Sequence, residues 1–422
     1  MLKALIPKRF TNAGILTRVH QEGRTLYDRI FSRTEEIDLR RTLLDGEGGL
    51  SAGKWAEHTQ TMRRASLLLA DSPHVKFLEK YRARGERVFY DKEFEETAYF
   101  TNAMDCVRIC GHYFDYNTVE GIRARARSFI SRYERIKSGN SLEVEFASRN
   151  GRLCFRRLPG VRKTWTPATV QIDDGMHRLA MAWVLGYKTT RALLLPAMPT
   201  RLQSLVATVA TTDNWRELYQ PINGVEFDSS WALIRRCDDR FEKMVKFLSS
   251  YGYRNCESSM LDLGCSYGWF VNEFSKKGYQ HTVGVDIKPE ALKIGRIAYG
   301  LRREQLVRSD LESFLTICTR SYDIVLMLSI LHHLALKSGF GTVTRVLKQV
   351  DGLTRSVLFL DAGQAHEHRY NESLKEWDDD FVISLIKKNT SFDHVLPLGA
   401  DSDNTGPHRF NYGRTLFACV RK

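Results

Sequence analysis

The sequence predicts an α/β protein whose C-terminal half is a parallel sheet covered by helices on both faces. Three observations carry that expectation. Leu261-Asp262-Leu263-Gly264-Cys265-Ser266-Tyr267-Gly268 reads as a buried strand entering a glycine-bearing turn, followed by a helix from Trp269 to Lys277. Val283-Gly284-Val285-Asp286 reads as the next parallel strand, with an acid at its carboxyl end. Beyond it, strand and helix alternate with short connections, the pattern of a sheet built from crossover units.

Each element has a local reason. A helix over about Ser230–Ser250 leads into the first strand. Glycine suits the turn because a residue without Cβ accepts positive φ and lets backbone approach a ligand closely. The acid Asp286 stands where the ribose hydroxyls of a nucleoside would lie in such a fold. Pro289 fits the first turn of a helix running to about Leu301, where its missing N–H costs nothing. Then follow a strand (306–308), a helix (311–318), a strand (324–328), a helix (about 341–350) and a strand (356–360). A helix near 377–388 and two closing strands, 394–398 and 414–420, complete the half.

The G-x-x-x-G turn, the acid at Asp286, Leu306-Val307-Arg308-Ser309-Asp310-Leu311 and Tyr322-Asp323-Ile324-Val325-Leu326-Met327-Leu328-Ser329 occur in the order of a known family. Together they resemble the class I S-adenosylmethionine (SAM)-dependent methyltransferases over roughly residues 227–422, and not the NAD-binding enzymes with G-x-G-x-x-G. The resemblance implies a Rossmann-like domain with SAM as cofactor. It implies a cofactor site of Asp262, Gly264, Cys265, Gly268, Asp286, Ile287, Asp310, Leu311 and Ser329, with Asp310 and its apolar neighbour flanking the adenine.

The chain of 422 residues has 43% hydrophobic and 27% charged residues, ordinary for a globular protein of two or three domains. No run approaches about 18 apolar residues, so no membrane span is expected. The start, acid-free until Glu22, lacks the apolar core of a secretory signal and reads as a helix, an arm or a transit peptide. Eight scattered cysteines form no C-x-x-C pair, so neither a metal site nor a disulfide framework is expected, and a reducing cytoplasm fits best. The net charge of +13 is uneven: residues 1–200 hold 34 Lys/Arg against 23 Asp/Glu. Basicity peaks over 146–172, which carries Arg149, Arg152, Arg156, Arg157, Arg162 and Lys163. Such a stretch suits an anionic partner (nucleic acid, nucleotide phosphate or glycan), or is a solvated face whose arginines pair elsewhere.

Residues 1–90 read as mainly helical, and 91–200 mix strands and helices. Ser141–Ala147 alternates as a strand, and Asn150-Gly151 reads as a hairpin turn into Leu153-Cys154-Phe155. Prolines 196, 199 and 221 mark a linker over 201–228, before a last domain over 229–422. Within the mixed region, Gln171-Ile172-Asp173-Asp174-Gly175-Met176-His177-Arg178 is a strand, a glycine turn and a helix start, a shape that suits an anion. It resembles the ParB/sulfiredoxin-like fold, whose D-G-x-H-R turn binds nucleotide phosphates in several members. The resemblance implies an α+β domain over 91–200 with Asp174, Gly175, His177 and Arg178 at a phosphate. Met176 replaces the reactive cysteine of sulfiredoxins. A purely structural turn and a nucleic-acid contact are the competing readings.

After the fourth strand come Ile330-Leu331-His332-His333-Leu334. A histidine of near-neutral pKa suits proton removal from a hydroxyl, so His332 and His333 are the catalytic candidates; a packing or orienting role is the alternative. The chain has no Pro-Pro and no Pro-Cys, which disfavours exocyclic-amine and cytosine C5 base methylation. The segment 328–340 and Asn404-Thr405-Gly406-Pro407-His408-Arg409 loosely resemble the methyltransferase domain of O-antigen chain-terminating methyltransferase–kinase proteins. The expectation is methylation of a hydroxyl or phosphate on a surface-glycan precursor or related small molecule, within polysaccharide biosynthesis. An RNA or DNA methyltransferase, and a non-enzymatic nucleotide-sensing regulator, are the alternatives.

Overall fold

The computed structural model describes residues 33–44, 67–139, 158–210, 215–253, 255–405 and 410–421. The expected strand at 141–147, the hairpin at 150–155 and Arg149, Arg152, Arg156 and Arg157 lie outside the described residues. The chain forms two compact units that divide between Thr200 and Arg201. Among the described residues, no helix is long and apolar enough to cross a membrane.

The first unit is a mixed five-stranded sheet with helices. Its strands are β1 (Arg33–Asp38), β2 (Thr42–Leu43), β3 (Gly160–Lys163), β4 (Val170–Asp174) and β5 (Thr189–Leu195), in the order β1-β5-β3-β4-β2. Two of these strands fall within 1–90, where the sequence reading expects mainly helix. Arg-Thr-Glu-Glu-Ile-Asp has little intrinsic strand preference, and antiparallel pairing of β1 with β5 decides its conformation. The helices are α1 (Pro73–Arg84), α2 (Asp91–Glu95), α3 (Ala98–Cys110), α4 (Val119–Lys137) and α5 (Met176–Val184). Ser72 caps α1 by accepting from the Val75 N–H, with proline in the first turn; Thr97 and Thr118 cap α3 and α4 likewise. Phe77, Tyr99 and Phe129 stack at the centre of the core.

The second unit begins with α6 (Arg201–Thr208), β6 (Glu217–Leu218) and β7 (Ala232–Leu233). Among the described residues of 201–228, expected from sequence to be a linker, α6 and β6 are regular structure, and β6 pairs in parallel with β7. The following helix, α7 (Asp238–Ser250), starts eight residues later than its composition suggests, because β7 takes up the preceding stretch. There follow β8 (Ser259–Leu263), α8 (Trp269–Lys276), β9 (Gln280–Asp286), α9 (Pro289–Tyr299), β10 (Leu306–Arg308), α10 (Leu311–Ile317) and β11 (Tyr322–Leu328). The chain closes with α11 (Leu331–Ser338), α12 (Phe340–Leu353), β12 (Thr354–Asp361), α13 (Asp379–Asn389), β13 (His394–Ala400) and β14 (Thr415–Val420). The seven strands run β10-β9-β8-β11-β12-β14-β13, with only β14 antiparallel to its neighbours. All five residues of β8 are buried, as a central parallel strand requires. Strand order reverses between β8 and β11, and in such sheets the ligand crevice opens beyond the carboxyl ends at that reversal.

Candidate cofactor and acceptor site

The turn after β8 is tied to the end of β9. Gly264 has φ +77, a conformation that favours glycine, and a Cβ there would run into the Ile330 side chain. The Gly264 and Cys265 N–H groups both donate to the Val285 carbonyl, at 2.8 and 3.0 Å. Asp286 takes one backbone N–H on each carboxylate oxygen, Ser266 at 2.8 Å and Lys288 at 2.8 Å. Each oxygen keeps a further lone pair for a ligand hydroxyl. Burial raises the Asp286 pKa, opposed by those N–H donors.

Asp262 is different: it is buried, and its Oδ2 has no hydrogen-bond partner. Burial pushes its carboxyl up to about 7, with Arg240 pulling down and Asp286 pushing up. A buried acceptor without a donor costs about 1–3 kcal/mol, so this oxygen marks a place for a ligand donor or cation.

The remaining expected cofactor residues divide. Ile287 is 61% exposed beside Asp286, available to cover a flat ring. Gly268, at φ +81, opens α8. Cys265 is engaged inside the protein: its thiol is buried, and its carbonyl accepts from the Gly268 N–H (2.8 Å) and Gln220 Nε2 (3.3 Å). Asp310 caps α10 by accepting from the Ser313 N–H at 2.9 Å, and that bond lowers its pKa. Leu311 packs half-buried against the core.

At the end of β11, Ser329 adopts φ +60. Its N–H (2.7 Å) and hydroxyl (3.1 Å) donate to Asp361 Oδ1, and Arg414 Nη1 donates to its hydroxyl (2.9 Å). Behind it lies a buried ion network that sequence reading missed. Arg240 bonds Asp361 and Asp403, both at 2.9 Å; Arg414 forks onto Glu367 at 2.7 and 3.0 Å; Arg235 meets Asp401 at 3.0 Å. Burial opposes ionisation of Asp361, but the Arg240 and Arg414 guanidiniums outweigh it and hold its carboxyl well below the usual range. One local signal was legible: an acid closing the buried strand β12, as Asp286 closes β9.

The two histidines have separate environments. His332 is fully buried and its Nδ1 accepts the Gly363 N–H at 3.0 Å, so its proton sits on Nε2. Burial first, then Arg414, pushes its pKa far down. His333 is exposed, its ring 4.1 Å from that of His332, and burial and Arg414 lower its pKa as well. Both rings are neutral at neutral pH, and only His333 has its surface open.

The turn after β4 in the first unit has another character. Gly175 takes φ +97, and a Cβ there would meet Arg178 Nη2 at 2.9 Å. Arg178 donates to Asp174 Oδ2 at 3.0 Å. His177 Nε2 lies 3.0 Å from the Tyr99 hydroxyl, and its ring sits among Phe129 (4.6 Å) and His74 (4.4 Å). Burial, then His74 and Arg125, holds its pKa well below the ordinary value, so His177 is neutral and Arg178 is the cation of this turn. Of the basic stretch, Arg162 pairs with Asp173 at 2.8 Å and Lys163 with Glu35 at 3.1 Å.

Residues 260–350 match a methyltransferase domain family. Over 75 residues, 18% of this chain, the sequence is 32% identical to a tRNA U34 carboxymethyltransferase of Shewanella pealeana. Over 87 residues, 21% of the chain, it is 30% identical to its counterpart in Shewanella halifaxensis. These matches span only 20% and 24% of those relatives. Among solved structures, the bifunctional kinase-methyltransferase WbdD aligns over 52% of this chain and 46% of its own, at 21% identity and TM-score 0.39. The magnesium protoporphyrin IX methyltransferase ChlM of Synechocystis PCC 6803 with bound SAM aligns over 43% of this chain and 78% of its own, at 18% identity and TM-score 0.31. The matched segment covers β8 to α12 and identifies a class I methyltransferase domain, whose cofactor is SAM. SAM carries a cationic α-amino group and two ribose hydroxyls, which fit the orphaned Asp262 oxygen and the spare lone pairs of Asp286.

Proposed function

We propose that the chain methylates a hydroxyl or phosphate on a surface-glycan precursor or related small molecule. In this reading Asp286 holds the SAM ribose, Asp262 meets the cationic end of the cofactor, Ile287 covers the adenine, and Gly264 permits close approach. The cofactor supplies an activated methyl group on sulfur, so the protein's work is to orient the acceptor and, for an alcohol, to receive its proton. His333 is the base of this proposal. The supporting observation is its exposed, neutral ring in the first turn of α11, which follows β11, while His332 is occupied by the Gly363 N–H. A phosphate acceptor is already anionic and needs no base. The first unit is read as a ParB/sulfiredoxin-like domain whose Asp174–Arg178 turn takes a phosphate-bearing ligand, with Arg178 as its cation and His177 as support.

A second reading, methylation of RNA, draws on the short matches to tRNA-modifying relatives and on the basic first half. Incubating the full chain with methyl-labelled SAM and three acceptors separates the two: a phosphorylated oligosaccharide, its unphosphorylated form, and tRNA. Label on either saccharide supports the glycan reading, and label on tRNA alone overturns it. Loss of transfer by about 100-fold in His333→Ala, confined to the unphosphorylated acceptor, would assign the base.

A further inference from the structure

The helix α8 opens directly from the cofactor turn, and its first N–H groups would ordinarily face a ligand. In strand–glycine turn–helix sites that bind dinucleotides, a pyrophosphate takes that place. Here it is filled by a side chain from outside the motif. Gln220, two residues beyond β6 and only 4% exposed, accepts on its Oε1 from the Tyr267 N–H (3.1 Å) and the Trp269 N–H (3.3 Å). Its Nε2 donates to the Cys265 carbonyl at 3.3 Å. One carboxamide therefore bonds both arms of the turn. The flanking residues hold it in place: the Tyr219 N–H donates to the Tyr267 hydroxyl at 3.4 Å, and the Tyr299 hydroxyl on α9 donates to the Pro221 carbonyl at 2.7 Å.

We propose that Gln220 is a positioning residue for the cofactor: its carboxamide oxygen stands in for an anion at the start of α8 and fixes the turn in the shape that receives SAM. Ser266, whose N–H holds Asp286, lies between Cys265 and Tyr267, the two residues that Gln220 grips. Releasing that grip lets the Ser266–Asp286 contact drift and the ribose site with it. The arrangement also suits a ligand without phosphate, since the donors a phosphate would use are already taken.

This inference rests on the assignment of the turn and Asp286 to SAM. Calorimetric titration of the full chain with SAM tests it on wild type, Gln220→Met and Gln220→Glu, each with a urea midpoint measured without ligand. Methionine matches the volume but accepts no backbone hydrogen bond; glutamate keeps the acceptor and, held protonated by burial at mildly acidic pH, keeps a donor for the Cys265 carbonyl. The expected result is a SAM Kd raised about tenfold or more in the methionine variant and within about threefold of wild type in the glutamate variant. A purely structural role would lower the urea midpoint of Gln220→Met and leave its Kd unchanged, which overturns the proposal. Equal weakening in both variants overturns it too, by removing the acceptor from the account. If Gln220→Met does not fold, a folded Gln220→Glu that loses SAM about tenfold is equally contradictory, and one that retains it supports the proposal. Absence of SAM binding by the wild type would instead refute the underlying site assignment.

Discussion

The turn after β8 and the turn after β4 share one pattern: a strand, then a glycine at positive φ that is the N-cap residue of the following helix. Their chemistry differs in what is left unsatisfied. After β8, the neighbouring strand residue Asp262 keeps a buried oxygen with no partner, and Asp286 retains lone pairs at the rim. After β4, His177 is bonded to Tyr99 inside an aromatic cage and Arg178 to Asp174. The glycine turn thus fixes where backbone bends. Whether a ligand belongs there depends on the polar groups that the fold has not already paired.

The largest contrast is expected from ion pairs in the two units. Arg414 is fully buried between Glu367 and Asp361, so Arg414→Met strips Glu367 of its forked partner and leaves Asp361 to Arg240 alone among the guanidiniums, and should cost about 3–5 kcal/mol in urea unfolding. A loss below about 1 kcal/mol would show that the network is far more solvated than its burial indicates. Next in size, Asp286→Ala should weaken SAM binding about tenfold or more, read by calorimetry, because it removes hydrogen bonds worth about 1.5–3 kcal/mol. In the other turn, Tyr99→Phe removes the partner of His177 and should destabilise the first unit by about 1–2 kcal/mol in urea unfolding, without changing SAM affinity. The smallest effect belongs to Asp174→Ala. Its side chain is 69% exposed, so loss of its ion pair with Arg178 should change stability by under about 1 kcal/mol in urea unfolding. Thermal shift with nucleoside triphosphates and phosphorylated glycans then sharpens the comparison: stabilisation of wild type that disappears in Arg178→Ala makes this turn a second ligand site. Equal shifts in both proteins remove it.

Much of the second unit was legible because its signals are contiguous. Strands β8, β11 and β12 each carry a short apolar run, and Gly264, Gly268 and Asp286 sit at fixed offsets from the strand ends. What escaped depends on distant partners. Arg235, Arg240 and Arg414 read singly as surface charges, and only folding brings them onto Asp361, Asp401, Asp403 and Glu367. Gln220 lay in a stretch that proline and glycine made look like a linker, yet it grips the turn after β8. In the first unit, Gly175 was readable but the fate of His177 was not, because Tyr99, Phe129 and His74 reach it from three other helices. Likewise β1 exists through its pairing with β5 and not through its own composition.

Asp262 gives the most direct test of the principle that the unsatisfied group marks the site. Its folded pKa of about 7 lies above the ordinary carboxyl value of 3.8, so between those values the folded state holds more protons than the unfolded one. The stability contributed by the protonated carboxyl is therefore complete below the lower value and lost as pH rises through the upper one. A bound cation favours the ionised form, so SAM affinity should run the opposite way. Titration calorimetry of the full chain with SAM at pH 6 and pH 8 should show binding several-fold tighter at the higher pH, up to about tenfold, and the dependence should vanish in Asp262→Asn. SAM affinity that is the same at both pH values in the wild type, or a pH dependence that survives in Asp262→Asn, would contradict the account.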